Sequence, residues 1–229
     1  MKKSLLFGFF FSVLTAFLCS LLCTSCFGTT PKERRNEAEK GWDSLYAFKK
    51  DGDVSKLSDA RRSFSAALNE NSENRLTLWG MGIVKTEEAQ LESKSPEDVE
   101  QCLKHAERYL KAALAADSLS PDGSDPAATE KDKKQIEMDL SNVFIGFGAF
   151  YQQTGKTDLS QKALKESSAI LEKLLSSDPN NANACQMMSF TAFYQQKYEQ
   201  AKAYCEKAEA LGASFSPAYK ADLEKALNH

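Results

Sequence analysis

Apolar side chains recur three and four positions apart through most of the chain, a spacing that places them on one face of an α-helix. Three triplets show this spacing most clearly: Trp42, Leu45 and Tyr46; Phe147, Phe150 and Tyr151; Phe190, Phe193 and Tyr194. The surrounding stretches are rich in Ala, Glu, Lys and Leu, and no run of alternating β-branched residues competes with them. The pattern therefore predicts an all-α protein.

Two of these stretches are almost the same: GFGAFYQQ at 146–153 and SFTAFYQQ at 189–196. A repeat architecture produces such an echo, and it predicts further copies. A third copy is GWDSLY at 41–46, and a weaker one is GMGIVK at 80–85, with Lys85 in place of the tyrosine. We interpret the two near-identical stretches as the same structural position in neighbouring repeats.

A second pattern follows each copy: a small residue, an apolar residue four positions on, and a small or apolar residue three further. It occurs as Ala60-x₃-Phe64-x₂-Ala67, Ala106-x₃-Leu110-x₂-Ala113, Ser167-x₃-Leu171-x₂-Leu174 and Ala201-x₃-Cys205-x₂-Ala208. Four first helices therefore alternate with four second helices. Small residues let the two helices of a pair approach closely, and large side chains fill the space beside them.

This alternation resembles the tetratricopeptide repeat (TPR) family. Phe147-Gly148-x₂-Tyr151-x₃-Gly155 matches the first helix of that repeat, and KYEQA at 197–201 matches the entry to the second. The resemblance implies a TPR-like solenoid of about four antiparallel helix pairs plus a C-terminal capping helix, although the turns are longer than in the family's repeat of about 34 residues. It assigns to the repeat core Trp42, Tyr46, Ala60, Phe64, Gly80, Ala106, Phe147, Gly148, Tyr151, Phe190, Tyr194 and Ala201.

The chain divides by composition. Helix pairs one and two are expected in residues 33–117, and pairs three and four in 131–211. The Pro-, Gly- and Ser-rich stretch 118–130 between them predicts a loop or hinge. Residues 212–229 are expected to form the capping helix, because Ser216-Pro217 supplies a capping side chain and a proline at the first helical position.

The N-terminal segment differs in composition from the helical repeats that follow it. Two lysines precede an apolar run over residues 5–23, which is the layout of a secretory signal. Small residues then precede Cys26, as in the lipobox of bacterial lipoproteins, although Cys23 stands where that family has leucine. The resemblance implies a signal peptide over 1–25, a palmitate-type lipid on Cys26 and a tether over 26–40. The protein would then be anchored to a bacterial membrane, periplasmic or surface-exposed.

Two alternatives stay open for this segment. The apolar run approaches the ~20 residues of a transmembrane helix, so it could remain as an uncleaved anchor. A plain signal peptide would instead be removed and leave a soluble secreted protein. In all three cases the folded part lies outside the cytoplasm.

TPR proteins bind peptides and proteins in a concave groove lined by their first helices, and the resemblance implies the same here. If Phe147 and Tyr151 are core residues, the groove candidates are Ala149, Gln152 and Gln153 and, by the repeat, Ala192, Gln195 and Gln196. A shift of one residue would expose Phe150 and Phe193 instead.

Charge and chemistry narrow the function classes. The net charge is −3, and residues 1–25 hold two lysines and no acid, so the remainder carries −5 and gives no reason to expect nucleic acid. No catalytic motif appears, and Cys102 with His105 offers only two ligands, a poor metal site. We therefore expect no enzyme, cofactor or metal. Cys185 and Cys205 could form a disulfide or remain as buried thiols.

These observations favour a membrane-anchored scaffold that holds another protein or peptide of the cell envelope, with self-association also possible. One alternative is the TPR component of a periplasmic TRAP-type transport system, whose members are lipoproteins of similar architecture. A second alternative is a small-ligand-binding protein or enzyme with a cavity near Trp42 and Phe147.

Overall fold

The computed structural model describes residues 36–91, 94–116 and 126–228, with side chains from residue 130 in the last range. The predicted signal peptide 1–25, Cys26 and most of the tether lie outside the described residues. Within these ranges the chain forms nine α-helices and no strand: α1 Glu37–Asp51, α2 Val54–Glu70, α3 Arg75–Glu88, α4 Pro96–Ala115, α5 Pro126–Gln153, α6 Thr157–Ser177, α7 Ala182–Tyr194, α8 Tyr198–Ala210 and α9 Pro217–Leu227. The all-α prediction is confirmed.

Local sequence explains most helix starts. Six helices begin after a side chain that accepts a hydrogen bond from a backbone N–H of the first turn: Asn36, Asp53, Asn74, Ser95, Asn181 and Ser216. Such caps satisfy donors that have no partner inside the helix. Ser95 also forms a reciprocal capping box with Asp98. The predicted start of the last helix at Ser216-Pro217 is confirmed.

The helices pack as four antiparallel pairs: α1 with α2, α3 with α4, α5 with α6, and α7 with α8. Each second helix also packs against the first helix of the next pair, and α9 packs against α8. The first helices α1, α3, α5 and α7 additionally contact their successors, so they form one continuous surface, here named the first-helix face. The predicted solenoid with a capping helix is confirmed.

Glycines in three first helices permit the close approach within each pair. A Cβ atom added at Gly41 would lie 2.6 Å from a ring carbon of Phe64 in α2. The same addition at Gly82 or Gly148 would lie 2.6 Å from Leu110 in α4 or Leu164 in α6. Carbon atoms in contact prefer ~3.5–4.0 Å, so only glycine fits at these contacts without a shift.

These contacts correct the register of the second copy. We expect the second copy to begin at Gly80. The structure shows that Gly80 faces Phe64 of the preceding pair: a Cβ atom added at Gly80 would lie 2.7 Å from Phe64 Cε1. Gly82 instead takes the role of Gly41 and Gly148, because it contacts the second helix of its own pair.

The interpretation of the two near-identical stretches as the same structural position is wrong by two residues. The turn after α5 has a left-handed residue at Gly155 (φ 76°), and the turn after α7 has one at Gln196 (φ 63°). The following lysine N–H groups donate to Tyr151 O and to Ala192 O. Equivalent residues are therefore 41 positions apart, whereas the letters align at 43.

Buried hydroxyls support the same register. Ser160 Oγ donates to Gly148 O at 2.7 Å, and Ser189 Oγ donates to Ala201 O at 2.7 Å. Gly148 is thus equivalent to Ser189. In the second helix of the third pair, Ser160, Leu164 and Ser167 hold the small–apolar–small positions, seven residues before the predicted pattern. Leu171 and Leu174 are buried as well, because α6 continues to Ser177.

Most predicted repeat-core residues are buried: Ala60, Phe64, Gly80, Ala106, Phe147, Gly148, Tyr151, Phe190 and Ala201. Trp42 and Tyr194 are half-buried. Tyr46 contradicts the prediction, since it is 59% exposed. Adjacent helical residues point about 100° apart, and Leu45, at 1% exposure, takes the core position instead.

The structure also bears on the predicted loop, the two alternatives for Cys185 and Cys205, and the presence of membrane-spanning helices. The loop predicted over 118–130 ends earlier, because α5 begins at Pro126, where a first-turn proline is tolerated. Cys102, Cys185 and Cys205 are buried free thiols, and no bridge joins the last two. Of the helices in the described ranges, none has the length and apolar character needed to cross a membrane.

Candidate functional site

An aromatic cluster lies on the first-helix face where α1 meets α3. The Trp42 ring lies 5.2 Å from the Trp79 ring and 5.7 Å from the Tyr46 ring, measured between centroids. The Phe64 ring, which is fully buried, packs against the Trp42 ring in a T-shaped arrangement at 5.6 Å and joins it to the core. We call Trp42, Tyr46 and Trp79 the tryptophan cluster. The two tryptophans are half-buried and Tyr46 is exposed, so the cluster has one side in the core and one in solvent.

A carboxylate from α5 completes the site. Trp79 Nε1 donates a hydrogen bond of 2.7 Å to Asp139 Oδ2, and the Gln135 amide reaches Asp139 Oδ1 at 3.5 Å. Burial raises the pKa of Asp139 to about 6, against the opposing effects of the Trp79 hydrogen bond and the charge of Lys49. Side chains from three successive first helices therefore meet at this point.

The two acidic side chains of α3 already have cationic partners. Glu87 is paired with Lys49 of α1. Glu88 contacts Lys85 at 2.6 Å and Arg61 of α2 at 3.2 Å. Both glutamates are buried, and unpaired charges there would be costly. The pairs with Lys49 and Arg61 tie the first three helices together.

The structure does not gather the six residues predicted for the groove. Ala149 and Ala192 are buried, and Gln152 and Gln153 are exposed at the end of α5. The Gln195 amide donates to Leu164 O and Ser168 Oγ, both at 3.1 Å, so it is bound to α6. Gln196 is the exposed left-handed residue of the α7–α8 turn.

The register explains this scatter. At a spacing of 41 residues, the counterparts of Ala149, Gln152 and Gln153 are Phe190, Phe193 and Tyr194, which the sequence pattern had placed two positions away. The glutamines of the two stretches are therefore not equivalent, and Ala192, Gln195 and Gln196 do not continue the line begun on α5.

The capping helix covers this part of α7. The Tyr219 ring of α9 lies 4.7 Å from the Phe190 ring and 5.4 Å from the Phe193 ring. The Tyr219 hydroxyl also forms a 2.7 Å hydrogen bond with Ser189 Oγ. Aromatic side chains at the end of the first-helix face are thus partly or fully covered by the chain itself, whereas Tyr46 at the other end stays exposed.

Polar contacts hold the later helix pairs in fixed positions relative to the cluster. Ser167 Oγ of α6 bonds Ser141 Oγ of α5 at 2.9 Å and Thr191 Oγ1 of α7 at 3.0 Å, and all three groups are buried. Across the second and third pairs, Lys156 contacts Glu100 at 2.9 Å. Hydrogen bonds from Lys104 and Lys156 lower the pKa of Glu100 to about 2.

Sequence reasoning missed two members of the site. Trp79 stands just before the weakest copy of the repeat, and Asp139 had no motif around it. One available signal was that the chain has only two tryptophans, and both lie in first helices.

In the described part of the chain, no three His, Cys, Asp or Glu side chains come together as a metal site. His105 lies on α4, where burial lowers its pKa.

Comparison with known proteins gives distant structural likenesses. No protein-family profile matches the chain, and no curated protein matches it. The solved structure of an assembly chaperone of RpL4 (Acl4, residues 1–338) is similar with 16% identity and a TM-score of 0.48, over 85% of this chain and 71% of that one. The crystal structure of MamA is similar with 17% identity and a TM-score of 0.25, over 71% of this chain and 92% of that one. The helical-repeat fold follows from the pairing of the helices themselves.

Proposed function

We propose that this protein is a membrane-anchored TPR-like scaffold that binds another protein of the bacterial cell envelope through its first-helix face. The observation that supports the proposal is the tryptophan cluster, a half-buried pair of tryptophans beside a tyrosine that is 59% exposed. Binding energy at protein interfaces concentrates in a few residues, and tryptophan and tyrosine are enriched among them.

The fold suits this role. A solenoid offers an extended surface built from equivalent faces of successive repeats. Here α9 closes the last repeat, and the ion pairs of α3 with Lys49 and Arg61 join the first two helix pairs. A partner would therefore meet a preformed surface, which lowers the entropy that binding must overcome.

The experiment is in-cell cross-linking followed by affinity capture, with three forms of the protein compared side by side. Tyr46→Glu introduces a negative charge at the exposed ring position. Arg62→Glu introduces a negative charge in place of a positive one on α2, where the Arg62 side chain is 80% exposed. We expect one abundant partner with the wild type and with Arg62→Glu, and its loss with Tyr46→Glu. Equal recovery by all three forms would show that the first-helix face is not the binding surface.

Capture of a solute-binding protein would identify the scaffold as a transport component.

Membrane anchoring rests on the sequence around Cys26, which lies outside the described residues. Two or more acyl chains anchor a protein stably, whereas one does not. We expect intact-mass analysis of membrane-extracted protein to show a lipidated residue 26, and Cys26→Ala to abolish that mass shift. An unmodified Cys26 in the wild type would contradict the lipoprotein assignment.

A further inference from the structure

We infer that the tryptophan cluster and Asp139 together bind a cationic side chain, lysine or arginine, of the protein partner. The inference rests on the proposed function and adds the chemistry of the contact. It comes from the placement of three aromatic rings and one carboxylate on α1, α3 and α5, at the exposed end of the first-helix face.

Charge is the first argument. Among the described residues, Asp139 has hydrogen bonds but no ion pair, whereas Glu87 and Glu88 of α3 are paired with Lys49, Lys85 and Arg61. A carboxylate can accept about four hydrogen bonds. Trp79 occupies one position at 2.7 Å, and the Gln135 contact at 3.5 Å is long. A cation from a partner would supply the missing charge and donors.

Among the described residues, the cation whose charge acts on Asp139 is already engaged. Lys49 lies close enough to influence Asp139, but its ammonium group is paired with buried Glu87. Moving Lys49 to Asp139 would leave Glu87 as a buried unpaired charge, which is strongly unfavourable. The carboxylate of Asp139 is therefore better matched by a cation from outside.

The rings are the second argument. A lysine or arginine within about 6 Å of a tryptophan or tyrosine ring centroid is attracted to the ring face. Trp42 lies 5.7 Å from Tyr46 and 5.2 Å from Trp79, so one side chain entering the cluster can reach more than one ring. The aliphatic stem of lysine or arginine would also cover exposed apolar surface of Tyr46.

The chain carries its own reporter for the test. Its two tryptophans are both members of the cluster, so all tryptophan emission comes from this site. The probes are decalysine and decaarginine, with decaglutamine as a neutral peptide. The protein is the full chain purified from cells in nonionic detergent, at pH 7.5, where Asp139 with a pKa of about 6 is ionised.

We expect a saturable change in tryptophan emission with the cationic peptides and none with decaglutamine. Asp139→Asn should weaken the binding about tenfold, because it removes the charge while its amide oxygen can still accept the Trp79 hydrogen bond. Asp158→Asn is the matched control, an exposed acid on α6, and should change the affinity less than about twofold. Tyr46→Leu, at an exposed position, should weaken the binding severalfold without unfolding the chain.

Three results would overturn the inference: no emission change, equal losses in Asp139→Asn and Asp158→Asn, or equal binding of decaglutamine. Equal losses in the two Asp→Asn variants would indicate attraction to the acidic surface as a whole. Equal binding of decaglutamine would indicate an apolar site. If the captured partner still depends on Tyr46 while cationic peptides do not bind, the proposed function stands and only the cation contact fails.

Discussion

Gly148→Ala tests the close packing on which the repeat depends. The added methyl group would lie 2.6 Å from Leu164 Cγ, about 1 Å inside normal carbon–carbon contact. Leu164 is fully buried, so its side chain cannot move into solvent to make room. Overpacking of this kind costs ~1–3 kcal/mol, and alanine returns ~1 kcal/mol through its better helix propensity. We expect a net loss of up to ~2 kcal/mol in unfolding free energy.

The same substitution in a Leu164→Ala background separates the clash from other effects. Leu164→Ala alone should cost ~2–5 kcal/mol, because it leaves a cavity. The Gly148→Ala methyl group would then occupy part of that space, and only its helix-forming advantage would remain. The double variant should therefore be at least as stable as Leu164→Ala, which corresponds to a coupling of ~1–3 kcal/mol.

Urea unfolding followed by circular dichroism at 222 nm measures all four forms. The reasoning would be refuted if Gly148→Ala raised the stability by a similar amount in both backgrounds, since that is the behaviour of a glycine with no close neighbour. Unfolding of a repeat array can depart from two states, so the midpoints and slopes of the curves are compared together.

Three other substitutions test the site and its support. The folded pKa of Asp139, about 6, exceeds its ordinary 3.8, so the unfolding free energy should rise as pH falls from 7.5 to 5. In Asp139→Asn, the unfolding free energy measured in urea should not show this rise. The folded pKa of Glu100, about 2, lies below its ordinary 4.5, so the stability that Glu100 contributes is present above pH 4.5 and lost toward pH 2. Glu100→Gln should therefore shift the midpoint of acid unfolding to a higher pH. Ser167→Ala should cost ~1–3 kcal/mol in urea unfolding, because Ser141 loses its partner, whereas exposed Ser176→Ala should change little.

Helix content and pairing could be predicted from the sequence because they depend on local regularities. A 3.6-residue apolar period, small residues at fixed positions and the Ser216-Pro217 start are all visible in the letters. The structure confirms four pairs and a capping helix where these signals occur.

The exact register could not be predicted, because two alignments compete in the same letters. AFYQQ repeats at a spacing of 43, but its first copy ends inside α5, while the glutamines of its second copy form the turn after α7. Gln196 adopts the left-handed conformation that Gly155 adopts in the preceding repeat. Glutamine rarely adopts this conformation, so its presence in the sequence does not predict it.

The candidate site was hidden for a different reason. The Trp79–Asp139 hydrogen bond joins α3 to α5 across a sequence separation of 60 residues, and such contacts leave no periodic signal. The resemblance places Tyr46 in the core by analogy with the later aromatic triplets. In α1 the core face instead runs through Gly41 and Leu45, so the neighbouring tyrosine points to solvent.

A site-specific photo-cross-linking scan in cells tests the central claim most directly. A photoreactive amino acid is placed in turn at Tyr46 on the first-helix face, at Arg62 on α2 and at Lys104 on α4, all of which are substantially exposed. The account predicts a cross-linked partner of one defined mass from Tyr46 and none from Arg62 or Lys104. A partner cross-linked from the second helices but not from Tyr46 would contradict binding through the first-helix face.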